Sequence, residues 1–233
     1  MQTGGKLLTV VVPMFNEEPT VGNVISRLKV VLEGTGFNFE VVVIDDFSRD
    51  RSVEVAQKNS VAVYRLEQHM GKGYALRTGF SKAKGDIIAT IDSDGSHLPE
   101  ELPLLLLPII QGKADLVIGS RFLNNGAGTS RKINKIGNRM FNKLIEVLTL
   151  KPISDSQSGY RVMTRQVLKS LNLNSDEYEI EAEMLVKTAC KGFRIKEIPI
   201  SFEQRTYGRS GVDPLIDGFK ILLSILAAFF RSC

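Results

Sequence analysis

The chain has 233 residues, 43% hydrophobic and 24% charged, the balance of one folded α/β domain rather than a disordered segment. Its 30 Lys and Arg against 26 Asp and Glu leave a net charge of +4, too evenly mixed to indicate nucleic acid. Two cysteines, Cys190 and Cys233, and two histidines, His69 and His97, exclude a disulfide-stapled scaffold, a Cys-rich zinc site and a multi-histidine site. A metal here has to be held mainly by carboxylates, which selects Mg²⁺ or Mn²⁺.

The first residues run straight into Leu7–Pro13 without the apolar core of a signal peptide. No stretch reaches the roughly 20 uninterrupted apolar residues of a membrane span. The longest candidate, Pro214–Phe230, is broken by Asp217 and Lys220. These features read as an intracellular domain that does not cross a membrane.

Short β-branched runs alternate with longer helical patterns. Leu7–Val12, Val41–Ile44, Val61–Leu66, Ile87–Ile91 and Leu116–Ile118 read as strands, nearly continuous in hydrophobicity as parallel strands covered on both faces are. Thr20–Leu32, Arg51–Asn59, Tyr74–Lys82 and Pro99–Gln111 read as the intervening helices. The rhythm predicts a Rossmann-like, mostly parallel sheet flanked by helices, with ligands at the carboxyl ends of its strands. Asn124–Ser130 reads as a loop. Arg131–Leu148 reads as a helix with Ile133, Ile136, Met140, Leu144 and Val147 on one side. Gly159–Met163 and Arg194–Phe202 read as further strands, with a helix over Glu179–Cys190 between them. The last stretch is an amphipathic helix. Leu215, Ile216, Phe219, Leu222, Leu223, Leu226, Phe229 and Phe230 share a face opposite Asp217, Lys220, Ser224 and Arg231. Such a helix packs on the domain or lies on a membrane surface.

The strand ends carry the chemistry. The first closes with Pro13-Met14-Phe15-Asn16-Glu17-Glu18, the second with Asp45-Asp46, the fourth with Asp92-Ser93-Asp94 and the fifth with Gly119-Ser120-Arg121. Acidic groups therefore converge on one rim. If strand geometry persists, Asp92 and Asp94 point the same way, and two hard oxygen ligands suit a divalent cation that also holds phosphate oxygens. Lys72 lies in a glycine-flanked turn, where it reads either as a diphosphate-binding cation or as a solvated surface lysine. His97 precedes a helix, where it reads as a surface residue or as a contact for metal or phosphate.

The ordered motifs resemble family 2 glycosyltransferases of GT-A fold: Val11-Val12-Pro13-Met14-Phe15-Asn16-Glu17-Glu18, Ile44 to Asp50, Gly71-Lys72-Gly73-Tyr74-Ala75 and the metal-binding Asp92-Ser93-Asp94. Gly119-Ser120-Arg121, Asp155 to Arg161, Glu179-Ile180-Glu181 with Glu183-Met184, Glu197-Ile198-Pro199-Ile200 and Arg205–Ser210 resemble the dolichol-phosphate mannose synthase branch. The resemblance spans residues 7 to about 211. It implies a catalytic domain over 1–211 followed by the amphipathic helix over 212–233.

The resemblance further implies that Pro13, Phe15, Glu17 and Asp45, with Asp46 beside them, cradle a GDP- or UDP-linked sugar donor. Lys72 would meet its diphosphate, and Asp92 and Asp94 would bind Mg²⁺ or Mn²⁺. Relatives often carry Gln two residues after the second Asp, where this chain has Ser96 and then His97. Arg121, Arg131 and Arg205 would face acceptor and donor phosphates. The family often reads Gly-X-Ser-Lys after the last of these; Gly208-Arg209-Ser210-Gly211 lacks that lysine, and Arg209 would substitute for it. Asp155 would sit near the reacting sugar, or else cap the turn before Gly159.

The implied reaction is metal-dependent inverting transfer of mannose, glucose or an N-acetylhexosamine to a polyprenyl phosphate, at the cytoplasmic face of a membrane and without nucleic acid. Two alternatives stay open. One is a transferase acting on a sugar or protein hydroxyl with Asp155 as base. The other is a nucleotide-sugar-binding module without catalysis, which the presence of both Asp92 and Asp94 disfavours.

Overall fold

A computed structural model describes residues 5–123, 132–203, 207 and 216–233, with the side chains of 132–136 left aside. The predicted loop over Asn124–Ser130 and the candidate residues Arg131, Arg205 and Arg209 lie outside the described residues.

Seven strands form one sheet in the order β3-β2-β1-β4-β6-β5-β7. They are β1 (Leu7–Met14), β2 (Asn38–Asp45), β3 (Ala62–Arg65), β4 (Ile87–Thr90), β5 (Leu116–Ser120), β6 (Arg161–Thr164) and β7 (Ile195–Pro199). All neighbours run parallel except β6, which is antiparallel to both β4 and β5. The helices are α1 (Val21–Thr35), α2 (Ser52–Gln57), α3 (Lys72–Lys82), α4 (Leu102–Ile110), α5 (Lys132–Thr149), α6 (Arg165–Ser170), α7 (Ile180–Cys190) and α8 (Ile216–Ser232).

The central strand shows how the layers arise. Successive side chains of a strand point to opposite faces. Leu8, Val10, Val12 and Met14 of β1 join a core built with Val21, Ile25, Leu28 and Leu32 of α1 and Leu102, Leu105 and Ile109 of α4. Val11 points the other way, into a core with Leu76 and Phe80 of α3, Ile145 of α5, Leu185 of α7 and Ile225 of α8. Because both faces are covered, β1, β4 and β5 are almost wholly buried. The expectation of two covered faces fails for β3, whose residues are mostly exposed because it forms one edge of the sheet.

Small shifts at element ends matter for the site. β1 and β2 continue to Met14 and Asp45, paired Pro13 with Ile44 and Met14 with Asp45, so these residues sit on rigid ladder rather than loop. α3 starts at Lys72, not Tyr74. Its preceding residue, Gly71, has φ 94°, a conformation that disfavours any side chain. β4 stops at Thr90 and a turn covers Ser93 and Asp94. The alternation argument for aligning Asp92 with Asp94 therefore does not apply.

Two helices turn a different face to the core than their apolar spacing predicts. In α5 the inward residues include Asn138, Asn142 and Ile145; of the expected stripe Leu144 packs against the core, while Met140 and Val147 are exposed. The inward asparagines bond to the 154–156 loop: Asn138 Nδ2 donates to Asp155, Asn142 Nδ2 to the Ser154 carbonyl, and the Ser156 amide to Asn142 Oδ1. Polar satisfaction of a buried loop thus decides the rotation of this helix. In α8 the buried stripe is Asp217, Ile221, Ile225 and Ala228, and it packs on α7 and α5. Ile216, Phe219, Leu222, Leu223 and Phe230 look outward, Phe219 with 62% of its surface exposed. A disulfide between Cys190 at the end of α7 and Cys233 fixes this docking, their Cα atoms 4.9 Å apart. It is a single clip between two helices, not the stapled scaffold that two cysteines exclude.

Among the described residues no helix is long and apolar enough to cross a membrane. The observed orientation of α8 predicts that Ile225→Ala lowers stability by about 2–4 kcal/mol, the usual range for truncating a buried aliphatic. Phe219→Ala should stay within about 0.5 kcal/mol. Urea unfolding of the two variants checks the assignment.

Candidate active site

At the carboxyl rim, β1 delivers Pro13 and then Phe15, whose exposed ring stacks on His69 with centroids 4.2 Å apart. Glu17 is buried; its Oε2 accepts from Thr20 Oγ1 at 2.9 Å. The Pro13 carbonyl accepts from Ser93 Oγ at 2.8 Å, which ties the end of β1 to the turn holding Asp92 and Asp94.

The two carboxylates at the end of β2 have different partners. Asp45 is fully buried, accepts from the Ser48 amide and lies 3.3 Å from Arg65 Nε; burial pushes its carboxyl up. Asp46 accepts from the amides of Met70 (2.7 Å) and Gly71 (2.8 Å), and its Oδ2 lies 2.8 Å from His69 Nδ1. Asp46 therefore builds the turn that launches α3 and, with it, Lys72.

Lys72 is not a surface lysine. Its side chain is 19% exposed, with Nζ 2.7 Å from Asp92 Oδ1 and 2.8 Å from Glu181 Oε1 in the first turn of α7. Burial works against both charges, yet the pairing prevails: the ammonium is held above its usual range, and the Asp92 carboxyl is drawn down to about 2. Gly159 leaves room for this carboxylate, since a Cβ there would lie 2.6 Å from Asp92 Oδ2. Asp94 Oδ1 accepts from the amide and hydroxyl of Ser96 at 3.0 and 2.7 Å.

The surface reading of His97 is overturned. The residue is 1% exposed, bridged to Phe202 and in contact with the Tyr160 ring. Burial lowers its basicity. Its Nδ1 lies 3.6 Å from Asp92 Oδ2, and among the described residues neither ring nitrogen has a hydrogen-bond partner. A buried imidazole normally finds a hydrogen-bond partner, so His97 is the polar group here whose partner the described residues do not supply. Among the described residues no three His, Cys, Asp or Glu side chains gather tightly enough to hold a metal alone. A divalent cation here would therefore need a ligand's own oxygens in addition to the carboxylates of Asp92 and Asp94.

On the other side of the cleft Arg121 and Asp155 form a two-pronged pair. Arg121 Nε donates to Oδ2 at 2.7 Å and Nη2 to Oδ1 at 2.8 Å, while the Arg121 amide also reaches Oδ2 at 3.0 Å. Asp155 is fully buried. Burial alone would raise its carboxyl, but the Arg121 guanidinium and Asn138 hold it below the usual range. Its own loop is held by Glu197 of β7, which accepts from the amides of Ser154 and Asp155. Arg121 stays at the cleft wall with its guanidinium 5.2 Å from the Phe202 ring centroid.

Three residues that shape the site had no assigned part in the sequence reading. Glu181 and Glu197 lie in motifs without an evident role, although a buried Glu in the apolar face of α7 is itself a signal. Arg161 opens β6, where a cation between apolar strands is the other. It is buried and donates to the carbonyls of Ser158 (2.8 Å), Glu181 (2.7 Å) and Ser156 (2.7 Å). Burial lowers its basicity to about 10.

This geometry agrees with comparisons to known proteins. Residues 9–171 match the glycosyl transferase family 2 domain. The dolichyl-phosphate hexose transferase of Haloferax volcanii is 31% identical over 219 residues, covering 94% of this chain and 92% of that protein. The dolichol-phosphate mannosyltransferase of Pyrococcus furiosus is 33% identical over 211 residues, covering 87% of this chain but only 58% of that protein. Among solved structures, glucosyl-3-phosphoglycerate synthase from Mycobacterium tuberculosis, in complex with Mn²⁺, uridine diphosphate and phosphoglyceric acid, superposes with a TM-score of 0.79. It is 24% identical, with 97% of this chain and 79% of that one covered, which speaks to the shared GT-A type fold. The match across most of the chain, on a sheet whose strand ends carry the family's motifs, shows that this protein is a glycosyltransferase belonging to glycosyl transferase family 2.

Proposed function

We propose that the chain transfers one sugar from a GDP- or UDP-linked donor to a polyprenyl phosphate, with inversion at the anomeric carbon. The observation that carries this reading is the Arg121–Asp155 pair. A hydroxyl acceptor needs a base to take its proton, and a base must be accessible and able to bind that proton. Asp155, the candidate base, is buried, carries three bonds from Arg121 and has its carboxyl held low. A phosphate monoester acceptor arrives already anionic and needs no such group.

In this reading the donor's base and ribose lie against Pro13, Phe15 and Glu17, over the buried Asp45. Asp46 sets the turn that aims Lys72 at the diphosphate. Asp92 and Asp94, with His97, would hold Mg²⁺ or Mn²⁺, whose contribution when bound is to neutralise charge on the departing nucleotide diphosphate. Solved structures of the fold neighbour contain Mn²⁺ or Mg²⁺ together with uridine diphosphate, which supports the same pairing here.

An acceptor phosphate oxygen attacks the anomeric carbon from the face opposite the leaving group. The bond to the donor's β-phosphate oxygen breaks with its electron pair, and no proton has to move. What the protein supplies is alignment and relief of repulsion between two anions, through Arg121 and, by resemblance, Arg131, Arg205 and Arg209. The names of the relatives support a dolichol-type phosphate as acceptor. The outward apolar residues of α8 support a peripheral contact with the cytoplasmic face of a membrane.

Incubation with labelled GDP-mannose, UDP-glucose or UDP-N-acetylglucosamine, polyprenyl phosphate and Mn²⁺ or Mg²⁺ should yield a lipid-linked sugar with one donor. EDTA should abolish it, and Asp94→Asn should lower kcat by about 100-fold or more. Lack of product with every donor would falsify the proposal.

The anchoring role of Asp155 has its own test. A carboxyl held low in the fold adds stability above its unfolded value near pH 4, and that stability is lost as pH falls further. Asp155→Asn should therefore be less stable than wild type by about 3 kcal/mol at pH 7. The gap should narrow steadily below about pH 4, as urea midpoints across pH would report.

A further inference from the structure

The ion cluster around Lys72 contains one more carboxylate than a metal-and-diphosphate pocket needs. Asp92, partly exposed to the cleft, and Glu181, buried behind it, approach the same Nζ at 2.7 and 2.8 Å. The two contacts are ion pairs of nearly equal length, so one ammonium is shared between two carboxylates. With two carboxylates on one ammonium, the cluster holds one more negative charge than Lys72 alone neutralises.

The backbone below Lys72 is fixed. The Gly71 amide donates to Asp46, the Tyr74 amide donates to the Asp176 carbonyl at 3.0 Å, and a Cβ at Gly73 would strike the Ser175 carbonyl. The flexible part is the lysine side chain, a point charge on a four-carbon stem that can reach either carboxylate. A divalent cation on Asp92 and an ammonium on its Oδ1 would be like charges a few ångströms apart with little water between them. Their repulsion sets the two cations in competition for the same carboxylate.

We propose that Lys72 is an exchangeable counter-cation that competes with the divalent metal for Asp92, and that Glu181 is the positioning residue that receives it. In the metal-free protein Lys72 neutralises Asp92. With a metal bound, Nζ would give up Asp92, keep its existing contact with Glu181, and stay beside the place where the donor's diphosphate enters. The metal is thereby held weakly until a diphosphate adds its own oxygens, so cation and donor bind together. This inference rests on the metal reading above, but it concerns residues of this chain and is readable without catalysis.

The test is a double-mutant cycle read by Mn²⁺ binding in electron paramagnetic resonance titrations, with and without UDP or GDP. Without nucleotide, Lys72→Met should bind Mn²⁺ about 10-fold tighter than wild type, within the usual range of site coupling. Glu181→Gln alone should bind about 10-fold more weakly, because Lys72 loses its second seat. In the Lys72→Met background, Glu181→Gln should change affinity by less than about 2-fold. Equal effects of Glu181→Gln in both backgrounds would mean through-space charge only, and would overturn the exchange. So would unchanged or weaker binding by Lys72→Met.

Should a variant not fold, as judged by circular dichroism, the wild type decides alone. Its Lys72 Nζ signal in ¹⁵N-lysine NMR should shift on Mg²⁺ titration, and a signal that does not move overturns the proposal. Absence of Mn²⁺ binding by the wild type even at saturating UDP and GDP would instead overturn the metal reading itself, and this inference with it.

Discussion

A buried arginine without a carboxylate of its own holds the two halves of the site in register. Arg161 sits where antiparallel β6 enters the sheet, paired with Thr90 of β4 on one side and Ile118 of β5 on the other. Removing a guanidinium from water costs several kcal/mol unless its donors are met. They are met by three carbonyls, two from the loop after Asp155 and one from the first turn of α7. The cation thus fixes the Asp155 loop and the residue bearing Glu181 with one planar group. The fields of Glu181 and Asp155 favour the charge, and burial opposes it.

From that hub the site reads as two preformed ion clusters. One is Lys72 with Asp92 and Glu181; the other is Arg121 with Asp155. Each neutralises a group that, in the proposed reaction, has to meet charge on a ligand. Counter-ions of this kind spare both clusters an unpaired buried charge. Under the proposed function, a ligand would exchange partners with these groups. Asp155 is the rigid case, embedded among Arg121, Asn138 and its own loop, whereas Asp92 faces the cleft and shares its cation with a second carboxylate. The acidic rim is consequently less acidic than its sequence suggests.

The legible parts of the sequence were those governed by period and by strand ends. Parallel strands with apolar runs, and Asp45-Asp46, Asp92-Ser93-Asp94 and Gly119-Ser120-Arg121 at their ends, lead directly to the correct sheet face. Legibility stopped where a long-range partner decides. Of the apolar stripe on α5, Leu144 packs against the core but Met140 and Val147 do not, because the inward Asn138 and Asn142 satisfy a loop that no local pattern reveals. His97 looks like a surface residue until Phe202, more than a hundred positions later, pairs beside it. Lys72 looks solvated until Glu181 folds over it. In each case the deciding contact joins distant segments.

The same reasoning bears on α8. An apolar stripe was expected either to pack on the domain or to meet a membrane, as if these were rival fates of one face. The structure separates them. Ile221, Ile225 and Ala228 close the core against α7, and the Cys190–Cys233 bond secures that seat. Phe219, Leu222, Leu223 and Phe230 remain outside on the same helix. Lys220 and Arg231 flank them, and lysine and arginine beside an apolar face suit an anionic lipid surface. A helix anchored on one side and apolar on the other can bring a catalytic domain to a lipid-borne phosphate without unfolding any of its core. Under the proposed function, fold stability and membrane contact then draw on different residues, and each can change without cost to the other.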